Sequence, residues 1–206
     1  MQIAVILIIL VGGLLDASAA SAQIASKTKL GLDVNAFTFA SYDSGPGSDA
    51  ITELQFGPFA TEVLGSTSGL PPAGLELGYG VTDAVLVGAL LRLGVSSVDD
   101  SGGGSSESIF TIGILPHVDY VMSHGRSFRP YIGMLAGLTT SSGSLVNDQS
   151  ITFASIGAEI GGYGFVGSSL SIGPRLAVTY SPGISDVTTD TKVLAVQFQI
   201  EIAGWL

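Results

Sequence analysis

The chain has no cysteine and only two histidines. Disulfides and thiolate metal sites are thereby excluded, and a histidine-rich metal centre is not expected. Charge is scarce as well. Asp, Glu, Lys and Arg make up 12% of the 206 residues, about half of what ordinary soluble domains carry, which is roughly 25%. Seven basic residues stand against 17 acidic ones, for a net charge of −10. That balance argues against nucleic acid as a partner, because a phosphate backbone needs basic side chains. Helical periodicity is missing too. Beyond the first residues, no segment approaches a transmembrane helix, which needs about 20 apolar residues.

What is abundant is glycine, with 29 residues, within a chain that is 46% hydrophobic. The opening "MQIAVILIILVGGLLDASAASAQ" has an apolar run, Ile3 to Leu15, followed by small residues ending at Ala22. This is the pattern of a secretory signal peptide, so we expect residues 1–22 to be removed and residues 23–206 to form one domain.

The remainder shows period-two segments between Gly, Ser, Thr and Asp clusters, the signature of strands. Eight are expected: Lys29–Tyr42, Pro72–Val81, Ala84–Ser97, Glu107–Met122, Phe128–Ser141, Ser150–Phe165, Ser169–Ser181 and Thr191–Trp205. Ile51–Phe59 has strand character and is either part of the first long excursion or a ninth strand. Short and long connections alternate, which gathers the long ones at one end of an up-and-down sheet. Each strand has one greasy face. In the last, Leu194, Val196, Phe198, Ile200 and Ile202 oppose Gln197, Gln199 and Glu201. A soluble barrel would turn the grease inward; a membrane barrel turns it toward lipid. The opposite faces decide between them. They carry mostly Gly, Ser and Thr, as a narrow lumen of about eight strands demands, rather than the Lys, Glu and Gln of a wetted surface. The expectation is an all-β, eight-stranded, antiparallel transmembrane barrel.

Isolated charges on those small-residue faces then point into the lumen. With a turn centred on Gly167, Glu159 faces Arg175. With a turn centred on His124, Asp119 faces Arg129 and His117 faces Tyr131. Directly opposed residues lie about 4.5–5.5 Å apart. Asp33, Glu76, Glu201 and Arg92 share the inner face. The expected result is a lumenal charge network filling the interior, since buried charges are costly unless paired.

Several other features have bland readings. Gly162-Tyr163-Gly164-Phe165-Val166-Gly167 matches G-x-G-x-x-G, but "SSLSIGP" after it does not open a helix, so no dinucleotide site is expected. His117 beside Asp119 and Tyr131 could relay a proton, though it reads better as a packed lumenal histidine. Tyr42, Tyr79, Phe110, Tyr120, Phe128, Tyr180 and Trp205 near strand ends suggest interfacial aromatic girdles. The long-connection end collects Asp43, Asp49, Glu53, Glu62, Asp99, Asp100, Glu107, Asp148, Asp186 and Asp190. These could bridge divalent cations to lipopolysaccharide, but a solvated acidic surface is the preferred reading.

The signal peptide, "GLELGYGVTDAVLVGALLRLG" (Gly74–Gly94), "PHVDYVMSHGRSFRPYIGMLAG" (Pro116–Gly137) and the terminal "VLAVQFQIEIAGWL" together resemble the small outer-membrane β-barrel proteins, of the outer-membrane protein A transmembrane-domain kind. In that family the last strand is an assembly signal ending in an aromatic residue. Here Leu206 holds the end position and Trp205 comes one place early. The resemblance implies a monomer in the outer membrane, in contact with its lipids and lipopolysaccharide and inserted by the barrel-assembly machinery. It implies no catalytic residues, metal or cofactor. A structural or surface-exposed role is the first reading. A narrow pore for small, even hydrophobic, solutes and an enzyme acting on lipid are the alternatives.

Overall fold

The computed structural model describes residues 24–43, 51–56, 73–98, 107–122, 127–143, 150–185 and 190–206. The expected signal peptide lies outside these residues, as do His124 and most of the acidic positions of the long connections. Nine strands are present: β1 (Thr28–Asp43), β2 (Ile51–Phe56), β3 (Ala73–Gly80), β4 (Val85–Val98), β5 (Glu107–Val121), β6 (Phe128–Gly143), β7 (Ser150–Val166), β8 (Leu170–Pro182) and β9 (Lys192–Trp205). Each neighbouring pair is antiparallel. β1 pairs with β9 along its length, which closes β1 and β3–β9 into an eight-stranded barrel.

The ninth segment, β2, is a strand outside that count. It pairs with the upper half of β1, Phe37–Tyr42, while β3 pairs with the lower half, Thr28–Val34. The two short strands thus follow one another along the same side of β1. A bulge between Asn35 and Phe37 separates the two regions. Below it the odd residues Gly31, Asp33 and Asn35 face inward; above it Thr38 and Ala40 do. A bulge adds one residue and so inverts the alternation. The Asn35 side-chain amide meets Thr38 Oγ1 at 2.8 Å across it.

The greasy faces point outward. Leu30, Leu77, Ile114, Val118, Ile132, Met134, Leu138, Ile156 and Ile160 are all exposed, whereas the charged inner residues are sealed. In a soluble barrel the burial would be reversed. Exposed Tyr79, Tyr120 and Phe128 ring the short-turn end, and Phe110 and Tyr180 the other. Trp205 does not join them. It is buried in the lumen because it shares parity with Glu201 and Ala203, and its Nε1 donates to Ser171 Oγ at 2.8 Å.

The β3–β4 and β7–β8 connections are tight. Gly167, at φ +75°, turns β7 into β8, a conformation that glycine adopts at no steric cost. The G-x-G-x-x-G stretch therefore ends a strand and opens another, with no helix for a phosphate.

Candidate functional site

The lumen is stratified. At the short-turn end, Ile24, Leu86, Val121, Tyr131, Tyr163, Phe165 and Trp205 form one buried apolar cluster. Tyr131 and Tyr163 stack at 4.7 Å between centroids, and Trp205 sits edge-on to Tyr163 at 5.3 Å. The segment before β1 completes this stopper. Asp83 Oδ1, in the β3–β4 turn, accepts from the amides of Ile24 (3.0 Å) and Ala25 (3.1 Å), holding Ile24 under the barrel. At the long-connection end, Ala40, Ile151, Phe153, Val193 and Ala195 form a second cluster. Leu90, Leu115, Leu135 and Ala177 form a third.

The charge network lies between the two ends. All five expected carboxylates, Asp33, Glu76, Asp119, Glu159 and Glu201, are buried. Arg175 is the hub: its Nε donates to Glu159 Oε2 at 2.7 Å, and its Nη1 to Asp33 Oδ2 at 2.8 Å and to Glu76 Oε2 at 3.0 Å. A second contact joins Nη2 to Glu159 Oε2. The Glu159–Arg175 pair nevertheless arises differently from the expected one. Glu159 lies opposite Ala177, and Arg175 opposite Gly161. The contact is diagonal, spanned by the long arginine side chain.

A second hub was missed by sequence reasoning. Lys29 Nζ lies 2.5 Å from Glu76 Oε1, 2.8 Å from Glu201 Oε1 and 3.2 Å from Tyr163 Oη. It also sits 4.6 Å over the Tyr163 ring, a cation–π geometry. The signal was available, since Lys29 has the parity of Gly31 and Asp33.

The expected pairing across the β5–β6 hairpin is not formed. Asp119 lies opposite Gly133, and His117 opposite Leu135, while Arg129 lies opposite Tyr163 and Tyr131 opposite Val121. The observed register, with Val121 opposite Tyr131, is not the one a turn centred on His124 would give. Arg129 instead stands 5.5 Å over the Phe165 ring, with Nε and Nη1 unbonded. Arg92 reaches none of the carboxylates through a hydrogen bond and donates to Gln197 Oε1 at 2.8 Å.

His117 sits among three acids. Its Nε2 is 3.1 Å from Glu76 Oε1, and its Nδ1 is 3.3 Å from Asp119 Oδ1 and 3.6 Å from Glu159 Oε1. Tyr131, the expected third member of a relay, belongs to the aromatic stopper instead. No serine, threonine or lysine nucleophile contacts His117 among the described residues, and Asp119 Oδ2 is taken by the Tyr163 hydroxyl at 3.0 Å. His117 and the three acids around it are all buried.

Above the charges lies a layer of hydroxyls. Thr111 meets Ser141 at 2.7 Å and Ser155 meets Ser181 at 2.8 Å, each pair bridging adjacent strands.

No protein-family model and no curated protein matches this sequence. The fold does have solved counterparts. Neisserial surface protein A is similar with a TM-score of 0.56 and 13% identity, covering 86% of this chain and 96% of that one. The outer membrane protein OprG from Pseudomonas aeruginosa is similar with a TM-score of 0.50 and 13% identity, covering 90% and 98%. At such identities the likeness is one of fold: the chain has the fold of the small eight-stranded outer-membrane barrels.

Proposed function

We propose that this protein is a non-catalytic outer-membrane barrel, a monomer set in outer-membrane lipid and lipopolysaccharide after insertion by the barrel-assembly machinery. Its lumen is closed, and its dealings with the outside run through its acidic long connections. The observation that carries this reading is the double stopper. Seven apolar side chains at one end and five at the other bracket a charge network whose members are all buried. A conducting barrel needs a wetted path with polar groups open to solvent along its length. The outward apolar band, flanked by exposed aromatics, supports the membrane setting.

Planar-bilayer recording of the refolded protein tests the closed lumen. We expect no stable conductance steps in potassium chloride. Reproducible steps would favour the narrow-pore reading, and lipid turnover abolished by His117→Ala would favour the enzyme.

A further inference from the structure

The charge network is not balanced by its own ion pairs. Of the five carboxylates, four share two permanently positive partners, Lys29 and Arg175, while Asp119 pairs with neither and Arg92 is turned to Gln197. The deficit concentrates around His117. Glu159 Oε2 is held by Arg175, yet its Oε1 is buried with no hydrogen-bond partner and points toward His117 Nδ1. Asp119 Oδ2 is held by Tyr163, leaving Oδ1 toward the same nitrogen. The other ring nitrogen, His117 Nε2, lies 3.1 Å from Glu76 Oε1 without a hydrogen bond, and Glu76 is itself fixed by Lys29.

That arrangement is how proteins prepare a metal site. Ligating carboxylates are commonly held by hydrogen bonds, as Asp119 and Glu159 are here through their other oxygens. The spacing fits. Ligands about 2.0–2.2 Å from a zinc-like ion at tetrahedral angles lie about 3.3–3.6 Å apart. Nδ1 is 3.3 Å from Asp119 Oδ1 and 3.6 Å from Glu159 Oε1. Room is provided by Gly133, which lies opposite Asp119 on one side and Glu159 on the other. A Cβ at this position would run into both carboxylates. One imidazole and two carboxylates suit a borderline divalent ion such as zinc.

We propose that His117 Nδ1, Asp119 Oδ1 and Glu159 Oε1 form a buried site for one divalent transition-metal ion of the zinc class, which ties β5 to β7 across Gly133. The ion offsets the excess negative charge. Because both ends of the lumen are stoppered, it enters as the barrel closes and leaves only when the barrel opens.

The experiment is to refold the full chain from urea into detergent micelles with zinc, then dialyse the folded protein against EDTA. Zinc held by surface carboxylates is stripped at this step. We expect about one EDTA-resistant zinc per wild-type chain, released on unfolding, and about a tenth of that or less in His117→Gln. Gly133→Ala keeps every ligand and fills the cradle, so it should also lose the zinc while still folding, which covers the case in which His117→Gln does not fold. Folded wild-type protein without EDTA-resistant zinc overturns the proposal and leaves His117 as an imidazolium shared by Glu76 and Asp119. Undiminished zinc in the folded variants overturns it equally.

Discussion

At the short-turn end of the lumen, Trp205, Tyr163, Tyr131 and Phe165 pack beneath a web of ion pairs. At the long-connection end, threonine and serine hydroxyls pair beneath the small cluster around Phe153. The two halves are held by different kinds of contact. The lower half is long-range: Arg175 on β8 reaches Asp33 on β1, Glu76 on β3 and Glu159 on β7, and Lys29 on β1 reaches Glu76 and Glu201. The hydroxyl pairs of the upper half are local, each joining one strand to the next. Removing a side chain below should therefore be felt all round the barrel, and removing one above should be felt by a single hairpin.

Arg175→Ala is the strongest way to break that contrast. It strips Asp33 and Glu159 of their cation and leaves Glu76 with Lys29 alone, and breaking a buried pair in this way costs about 3–5 kcal/mol. Urea unfolding in micelles should show a loss of that size. Thr111→Val leaves the buried Ser141 hydroxyl without its partner and should cost about 1–3 kcal/mol by the same measurement. Similar losses from the two substitutions would erase the distinction between the halves. The mildest test perturbs nothing. Trp205 is the only tryptophan, so intrinsic fluorescence reports on the lower lumen alone. Its emission should be insensitive to lipids brominated along their acyl chains, whereas a girdle tryptophan would be quenched.

Most of the wall was legible in the sequence because alternation between two environments is a property of each strand by itself. Asp33, Glu76, Asp119, Glu159 and Glu201 could be assigned to the inner face from their neighbours alone. Register was not legible to the same degree, since it depends on how many residues a turn consumes. A small slip preserved Glu159 with Arg175, because arginine reaches diagonally. A larger slip separated Asp119 from Arg129 and His117 from Tyr131. The bulge at Asn35 was invisible to a strict period of two. Trp205 was misread because its position at a strand end outweighed its parity, and Lys29 because its place at the first residue of the expected strand hid the parity it shares with Asp33.

The seam between β1 and β9 joins the beginning of the described chain to its end: Thr28 and Leu206 exchange backbone hydrogen bonds. Among the described residues no backbone pairing spans more sequence, and such pairings form late because a long loop must close first. Lys29 and Glu201 lie on opposite sides of this seam. When it zips, Lys29, already beside Glu76 on β3, gains Glu201 as a second partner. The salt bridge thus acts as a latch that rewards only the finished cylinder, making partial insertion unfavourable and completion nearly all-or-none.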